Sequence, residues 1–232
     1  MILTGHQPEY LPYIGFFNKI MLADKFVFVD HIQFNKKSWQ NRNKIRTKDG
    51  QQWITVPVLS KNKFEQKINE VEIDNTERWR KKHLKSIILN YQKAPYFKEY
   101  IGFFEDIYSR DWTKLSKLNI EIIKHLMKIL DININTYNSS SLNLSGKKTD
   151  LLIDLCNALN ADGYLSGSGG KGYINDTKFQ KAGIKNLFRE IKHPVYTQIY
   201  EPFISNMSVI DIIFNCGAEK ARKIIYKCGS VK

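Results

Sequence analysis

The sequence predicts an α/β fold built on a mostly parallel sheet, and three observations predict it. A short apolar strand at 2–5, a turn rich in proline, a helix at 12–23 and a second apolar strand at 25–30 follow one another within 30 residues. That order is one βαβ unit, the element from which parallel sheets are made. Strands and helices then keep alternating at 134–142, 149–160, 162–167 and 183–191. Finally, 232 residues are enough to bury a core without disulfides or metal, as one large domain. The expected architecture is a single Rossmann-like domain over 1–232, with a helical insertion at 76–130.

Each element has a local reason. Phe16, Phe17, Ile20 and Met21 recur at helical spacing after the prolines of "QPEYLP". "KFVFVD" is apolar enough to lie inside a sheet. "KIRTKDGQQWITVPV" (44–58) reads as a hairpin, with "DG" supplying the turn's positive φ. "INEVEID" (68–74) alternates like a strand. From 76 to 91 a helix is expected, capped by Thr76, with Trp79, His83, Ile87 and Tyr91 four apart. "KAPYF" breaks it, and 113–130 forms a long amphipathic helix. "TDLLIDLCNALN" (149–160) is expected to be well capped, and "SVIDIIFNCG" opens the final helices.

Composition excludes several classes. Hydrophobic content of 42% with 25% charged residues is that of a globular chain rather than a disordered or membrane one. No apolar run reaches the roughly 18 residues of a spanning helix. "HQPEYLP" interrupts anything like a signal peptide, so a cytoplasmic location is expected. Cys156, Cys216 and Cys228 lack CxxC spacing, which argues against a disulfide framework or structural zinc. Cys156, inside "LLIDLCNAL", reads as a small buried apolar residue. The formal net charge of +13 favours an anionic partner, whether nucleic acid, nucleotide phosphates or an acidic membrane surface, although its lysines are scattered rather than blocked.

In open α/β sheets, ligands sit where loops leave the carboxyl ends of the strands. The first such loop, "GHQPEYLP", carries His6, Gln7 and Tyr10. A histidine there suits acid–base work, or simply a bond to turn backbone. The second, "SGSGGKGY" (166–173), offers Ser166, Gly167, Ser168, Gly169, Gly170 and Lys171. It reads as a phosphate-cradling turn without a Walker A ending, or as an ordinary surface turn. A third stretch, 31–47 with Asp30 before it, gathers Gln33, Lys36, Trp39, Asn41, Arg42 and Asn43. Amides for hydroxyls, Arg for phosphate and an indole for stacking suit a sugar or nucleotide; a solvated basic loop has the same composition. "WRKKH" places Arg80, Lys81 and His83 on one helical turn, and His193 precedes a proline, so its backbone is extended. His125 reads as structural, and Asp211, in an apolar run, as a capping or core-paired carboxylate. The five histidines form no HExxH or HxH pair, so no metal site is predicted.

Together, "HQPEYLPYIGFFNKIMLADKFVFVD", "IQFNKKSWQNRNKI", "WITVPV", "WRKKH", "KAPYF", "YLSGSGGKGYI", "HPVYTQ" and "SVIDIIFNCG" resemble the WbqC-like family of bacterial proteins, usually encoded among surface-polysaccharide genes. The resemblance runs through almost the whole chain. It implies a part in the biosynthesis of lipopolysaccharide O-antigen or related glycans, and a transferase that acylates an amino sugar fits that setting. The substrate would be a nucleotide-linked amino sugar, with His6 as base and His83 or His193 as substitutes. Asn41, Arg42 and Asn43 would hold sugar or diphosphate, and Ser166, Ser168 and Lys171 the donor's phosphates. The donor stays open between an acyl or aminoacyl compound (an aminoacyl-tRNA would give the +13 charge a purpose) and a free acid activated by ATP with Mg²⁺. The opening strand, turn and helix also look like those of nucleotidylyltransferase-type folds, with "SGSGGKG" as their later loop. The second histidine of their H-x-G-H motif is absent here, where Phe16 follows Gly15. An adenylate-forming enzyme is therefore the alternative, and a non-catalytic nucleic-acid or glycan-assembly module a third.

Overall fold

The computed structural model describes residues 1–172 and 174–231, apart from the side chains of Ser168 and Lys171. Its centre is a six-stranded sheet. In chain order the strands are β1 (Ile2–His6), β2 (Lys25–Phe28), β5 (Asn135–Asn138), β6 (Gly163–Ser166), β7 (Lys185–Ile191) and β8 (Gly229–Val231). Strands β3 (Arg42–Thr47) and β4 (Gly50–Thr55) form a separate antiparallel hairpin. The spatial order is β5-β2-β1-β6-β7-β8, parallel except for β8. Renumbered within the sheet, that is 3-2-1-4-5-6, the order of a Rossmann-like doubly wound fold. The topological switch lies between β1 and β6, which pair through Ile2↔Gly163 and Leu3↔Tyr164.

The side-chain pattern explains the layers. Along β2, Phe26 and Phe28 enter one core and Val27 the other, because alternate residues face opposite sides of a strand. The larger core packs α1 (Ile14–Met21), α7 (Val209–Cys216) and α8 (Ala218–Lys227) on one face. It continues into the long excursion between β2 and β5, which contains the hairpin and the helices α2 (Trp79–Tyr91), α3 (Phe97–Ser109) and α4 (Leu115–Ile129). The smaller core joins Leu3, Val27 and Tyr164 to Leu155 and Phe179 of α5 (Thr149–Ala158) and α6 (Asp176–Lys181) on the other face.

Three local expectations need correction, and one further helix was not expected. Residues 68–74 are not a strand: Ile68–Glu70 is a 3-10 turn, held by the Glu70 carboxylate accepting from the Lys67 amide at 2.9 Å. Only isolated bridges, Val58↔Ile73 and Glu72↔Lys114, survive of the alternation. Thr76 does not cap α2; its amide and hydroxyl both donate to Asp74 Oδ1, and the helix begins at Trp79. "KAPYF" breaks the helix as expected, α2 ending at Tyr91, and a further helix that was not expected, α3, starts at its end with Phe97, Phe104 and Ile107 buried. The start of α5 has no side-chain cap, because Lys148 occupies that position at φ 54° while the Thr149 hydroxyl accepts from the Asn175 amide. Gly50 does sit at positive φ, +129°, in the hairpin turn.

Candidate functional site

A cavity of about 550 Å³ opens at the switch point between the ends of β1 and β6. The fold makes it there because neighbouring loops part on either side of the β1–β6 pair. Gly5, His6 and Gln7 form its β1 wall; Ser166, Gly167, Gly169 and Gly170 form its β6 wall. The two loops singled out from sequence are thereby brought face to face.

Glycine is needed on both walls for space. A Cβ at Gly5 would stand 3.1 Å from Val29 Cγ2 and 3.3 Å from the Tyr164 hydroxyl. One at Gly170 would fall 2.8 Å from Ile174 Cδ1. Gly167 and Gly169 have nothing within 4 Å of that position, so their backbone is unobstructed. The loop turns through a 3-10 segment, Ser168–Gly172, with the Gly170 amide donating to the Gly167 carbonyl at 2.9 Å. The side chains of Ser168 and Lys171, both predicted to hold phosphate, lie outside the described residues. The Ser166 hydroxyl is buried and donates to Asn186 Oδ1 at 3.3 Å.

His6 is the histidine on the wall. Its Nδ1 donates to the Gln7 carbonyl at 3.0 Å, which leaves Nε2 with the lone pair in the neutral ring. The ring meets Phe16 edge-on at 5.0 Å, and Glu9 Oε1 is 3.8 Å from Nδ1. Burial, helped by the Lys19 and Arg189 charges, lowers its pKa to about 3, so the imidazole is neutral at physiological pH. Burial raises the neighbouring Glu9 to about 8 against the pull of Lys19.

Two cations that the sequence reading missed also reach this cavity. Lys19, on the inner side of α1, donates to the Gly5 carbonyl at 2.9 Å, and burial lowers it to about 7, with Arg189 adding repulsion. Arg189 of β7 donates to the Gly15 carbonyl and to Asn18 Oδ1. Both are more than nine-tenths buried. The signal was a lysine inside "IGFFNKIM" and an arginine inside "NLFREI", each a charge in an otherwise apolar run. Lys148, at φ 54°, adds a third cation to the lining. No described lining residue is a carboxylate, so the walls do not offer Mg²⁺ the one or two carboxylates it normally takes.

The remaining candidates lie elsewhere. Tyr10 and His83 are buried together, the tyrosine hydroxyl bonding to His83 Nδ1 at 2.8 Å and to Tyr108, with Trp79 against the imidazole. His83, lowered to about 4 mainly by burial, is a core histidine and not a wall of the cavity. His193 donates from Nδ1 to the Pro194 carbonyl and accepts the Asn206 amide at Nε2, so both ring nitrogens are engaged in its own loop. Asp30 stands at the end of β2, where this fold often binds a ribose. Its carboxylate instead accepts the hydroxyls of Ser139 and Ser140 and the Ser140 amide, joining β2 to β5.

Gln33 donates to the Phe64 carbonyl, and Lys36 is exposed. Asn41 and Asn43 are buried braces, donating to the Val56 carbonyl and to those of Tyr10 and Leu11. Trp39 packs on Trp53 at 5.2 Å, with Arg42 stacked over Trp53 at 4.3 Å. Two contacts from this segment to the cavity were not foreseen: Ile32 lines it, and Gln40 Nε2 donates to Gln7 Oε1. Arg80 pairs with Asp111 at 2.7 Å, and His125 stacks on Phe103 at 3.5 Å.

Among the described residues, no helix is long and apolar enough to cross a membrane. An uncharacterized protein of Mycobacterium tuberculosis is 36% identical over 215 residues, covering 92% of this chain and 93% of that one. No solved structure matches the chain. The sequence model of one family spans residues 7–223 and so takes in His6's neighbours, Lys19, the glycine turn and Arg189 alike: the chain belongs to the WbqC-like protein family.

Proposed function

We propose that the protein is a transferase of surface-glycan biosynthesis that forms an amide on the amino group of a nucleotide-linked amino sugar, in the cavity at the β1–β6 switch point. The observation that carries this reading is a neutral imidazole with a free Nε2 on the wall of a cavity whose other ionic groups are cations. The cations suit the substrate's diphosphate, and the imidazole suits the reaction. The sugar nitrogen attacks the carbonyl carbon of an activated acyl group, forming the C–N bond. His6 Nε2 takes the amine proton, and the leaving group departs with the electron pair of the bond it breaks. In the empty cavity His6 is a weak base, because Lys19 and Arg189 reinforce the effect of burial. A bound diphosphate offsets those charges and strengthens the base when it is needed.

The donor is an acyl or aminoacyl compound activated beforehand. The test is incubation with nucleotide-linked amino sugars and acyl-CoA, aminoacyl-tRNA, or amino acid plus ATP, read by mass spectrometry for an acylated sugar. General-base catalysis contributes roughly 10²–10⁴-fold, so His6→Ala is expected to lower turnover by about that factor. Full activity of His6→Ala would remove it as the base. Pyrophosphate release without an acylated sugar would replace the reading with adenylate formation.

A further inference from the structure

Lys19 and Arg189 are hard to explain as structural residues. Each is more than nine-tenths buried, on α1 and β7 respectively, and both line the same cavity. Their recorded partners are neutral: the Gly5 carbonyl for Lys19, the Gly15 carbonyl and Asn18 Oδ1 for Arg189. Neither takes part in an ion pair of 4 Å or less among the described residues. The Arg189 Nε is fully buried with no hydrogen-bond partner among them. Burying a charge is costly unless it is paired, and a guanidinium normally engages a forked set of acceptors. Two like charges held near each other under these conditions define a place for an anion.

We infer that Lys19 and Arg189 form the phosphate subsite of this cavity, gripping the non-bridging oxygens of a diphosphate from below while the glycine turn at 167–170 faces it from above. The inference rests on the nucleotide-linked substrate proposed above but makes a separate claim about which residues hold it. A carboxylate is the other anion such a pair could take. A diphosphate is favoured because three cations, Lys19, Arg189 and Lys148, line the cavity and no carboxylate stands among its described lining residues; Glu9, which acts on Lys19 from outside that lining, is itself raised to about 8 by burial and offsets them only in part. Burial is the main cause of the lowered basicity of Lys19; Arg189 lowers it further and Glu9 opposes both.

The probes are pyrophosphate, UDP, acetate and the uncharged nucleoside uridine, each titrated calorimetrically into the full chain. Pyrophosphate and UDP should bind, and acetate at the same concentration should not. Lys19→Met and Arg189→Gln should each weaken both phosphate ligands by about 10- to 100-fold, the range for a hydrogen bond to a charged group. Uridine should not distinguish the variants from the parent.

Lys19 also reports without mutation. Limited acetylation followed by peptide mass spectrometry should show Lys19 protected by pyrophosphate and not by acetate, while exposed lysines react equally with both. Binding of pyrophosphate unchanged in folded Arg189→Gln, or Lys19 labelling indifferent to pyrophosphate, overturns the subsite. Protection by acetate equal to that by pyrophosphate assigns the pair to a carboxylate and overturns it too. Pyrophosphate binding that needs both cations, in a protein that acylates no sugar, keeps the subsite and rejects the transferase.

Discussion

At the scale of single residues, His6, Glu9 and Lys19 have pKa values of about 3, 8 and 7, all moved toward neutrality chiefly by burial. The shifts tie stability to pH with definite signs. His6 titrates at about 3 when folded against an ordinary 6.5. Between those values the unfolded chain binds a proton that the folded chain does not, so stability falls as the solution is acidified through that window. His6→Gln lacks this contribution. Urea unfolding at pH 7 and pH 4.5 should therefore show the wild type losing more stability than His6→Gln over that step; equal losses would mean that His6 titrates normally. Glu9 has the opposite sign, its folded pKa lying above its ordinary one, and its contribution is shared by both proteins. Of these three groups, only His6 was legible in the sequence. A histidine in a loop after a strand announces itself, whereas a lysine on a helix ordinarily faces water, and only the structure shows the side of α1 from which Lys19 projects.

At the scale of elements, the sequence was read best where the period was strong. The opening βαβ unit, the hairpin and α4 stand within a few residues of expectation because their apolar spacing admits one interpretation. Residues 68–74 misled because alternation in a short segment does not supply a partner strand, and a side-chain cap on the 3-10 turn won locally. The stretch 31–47 misled differently. Its asparagines look like ligand-binding amides in sequence, yet they brace backbone carbonyls, Asn41 that of Val56 after β4 and Asn43 those of Tyr10 and Leu11 in the irregular first loop. Asp211, read as core-paired, anchors α7 in that role: its carboxylate accepts Tyr91 at 3.0 Å and both Tyr196 and Gln198 at 2.8 Å. Removing it leaves the Tyr91 and Tyr196 hydroxyls without this acceptor and Gln198 Nε2 with only the Ile204 carbonyl, each lost acceptor costing about 1–3 kcal/mol, partly relieved by relaxation. Asp211→Ala is expected to destabilise the protein by about 3 kcal/mol in denaturant unfolding, with Tyr91→Phe costing less. A loss below about 1 kcal/mol would show that the network contributes little to docking α7.

At the scale of the whole molecule, the 3-2-1-4-5-6 strand order decides where chemistry can occur, and the sequence could not reveal it. Alternating strands and helices specify a parallel sheet, but strand order depends on which way each crossover runs, and the excursion between β2 and β5 hides the reversal. Once the order is known, the cavity, its cations and His6 fall at the switch point together. The cavity joins segments far apart in the chain, the β1–α1 loop, the 166–170 turn and β7, so a ligand there holds the halves of the sheet to each other. A ligand that binds only the folded state, at about 100 times its dissociation constant, adds about 2.7 kcal/mol. For a chain of this size that raises the melting temperature by about 5–10 °C. A nucleotide-linked amino sugar is expected to give this shift, and the corresponding nucleoside a much smaller one. Because the attraction is between charges, raising the salt concentration to about 0.5 M should weaken binding and reduce the shift at fixed ligand concentration. A shift of the same size from the nucleoside, or one indifferent to salt, would mean that the base and sugar rather than the diphosphate hold the ligand in this cavity.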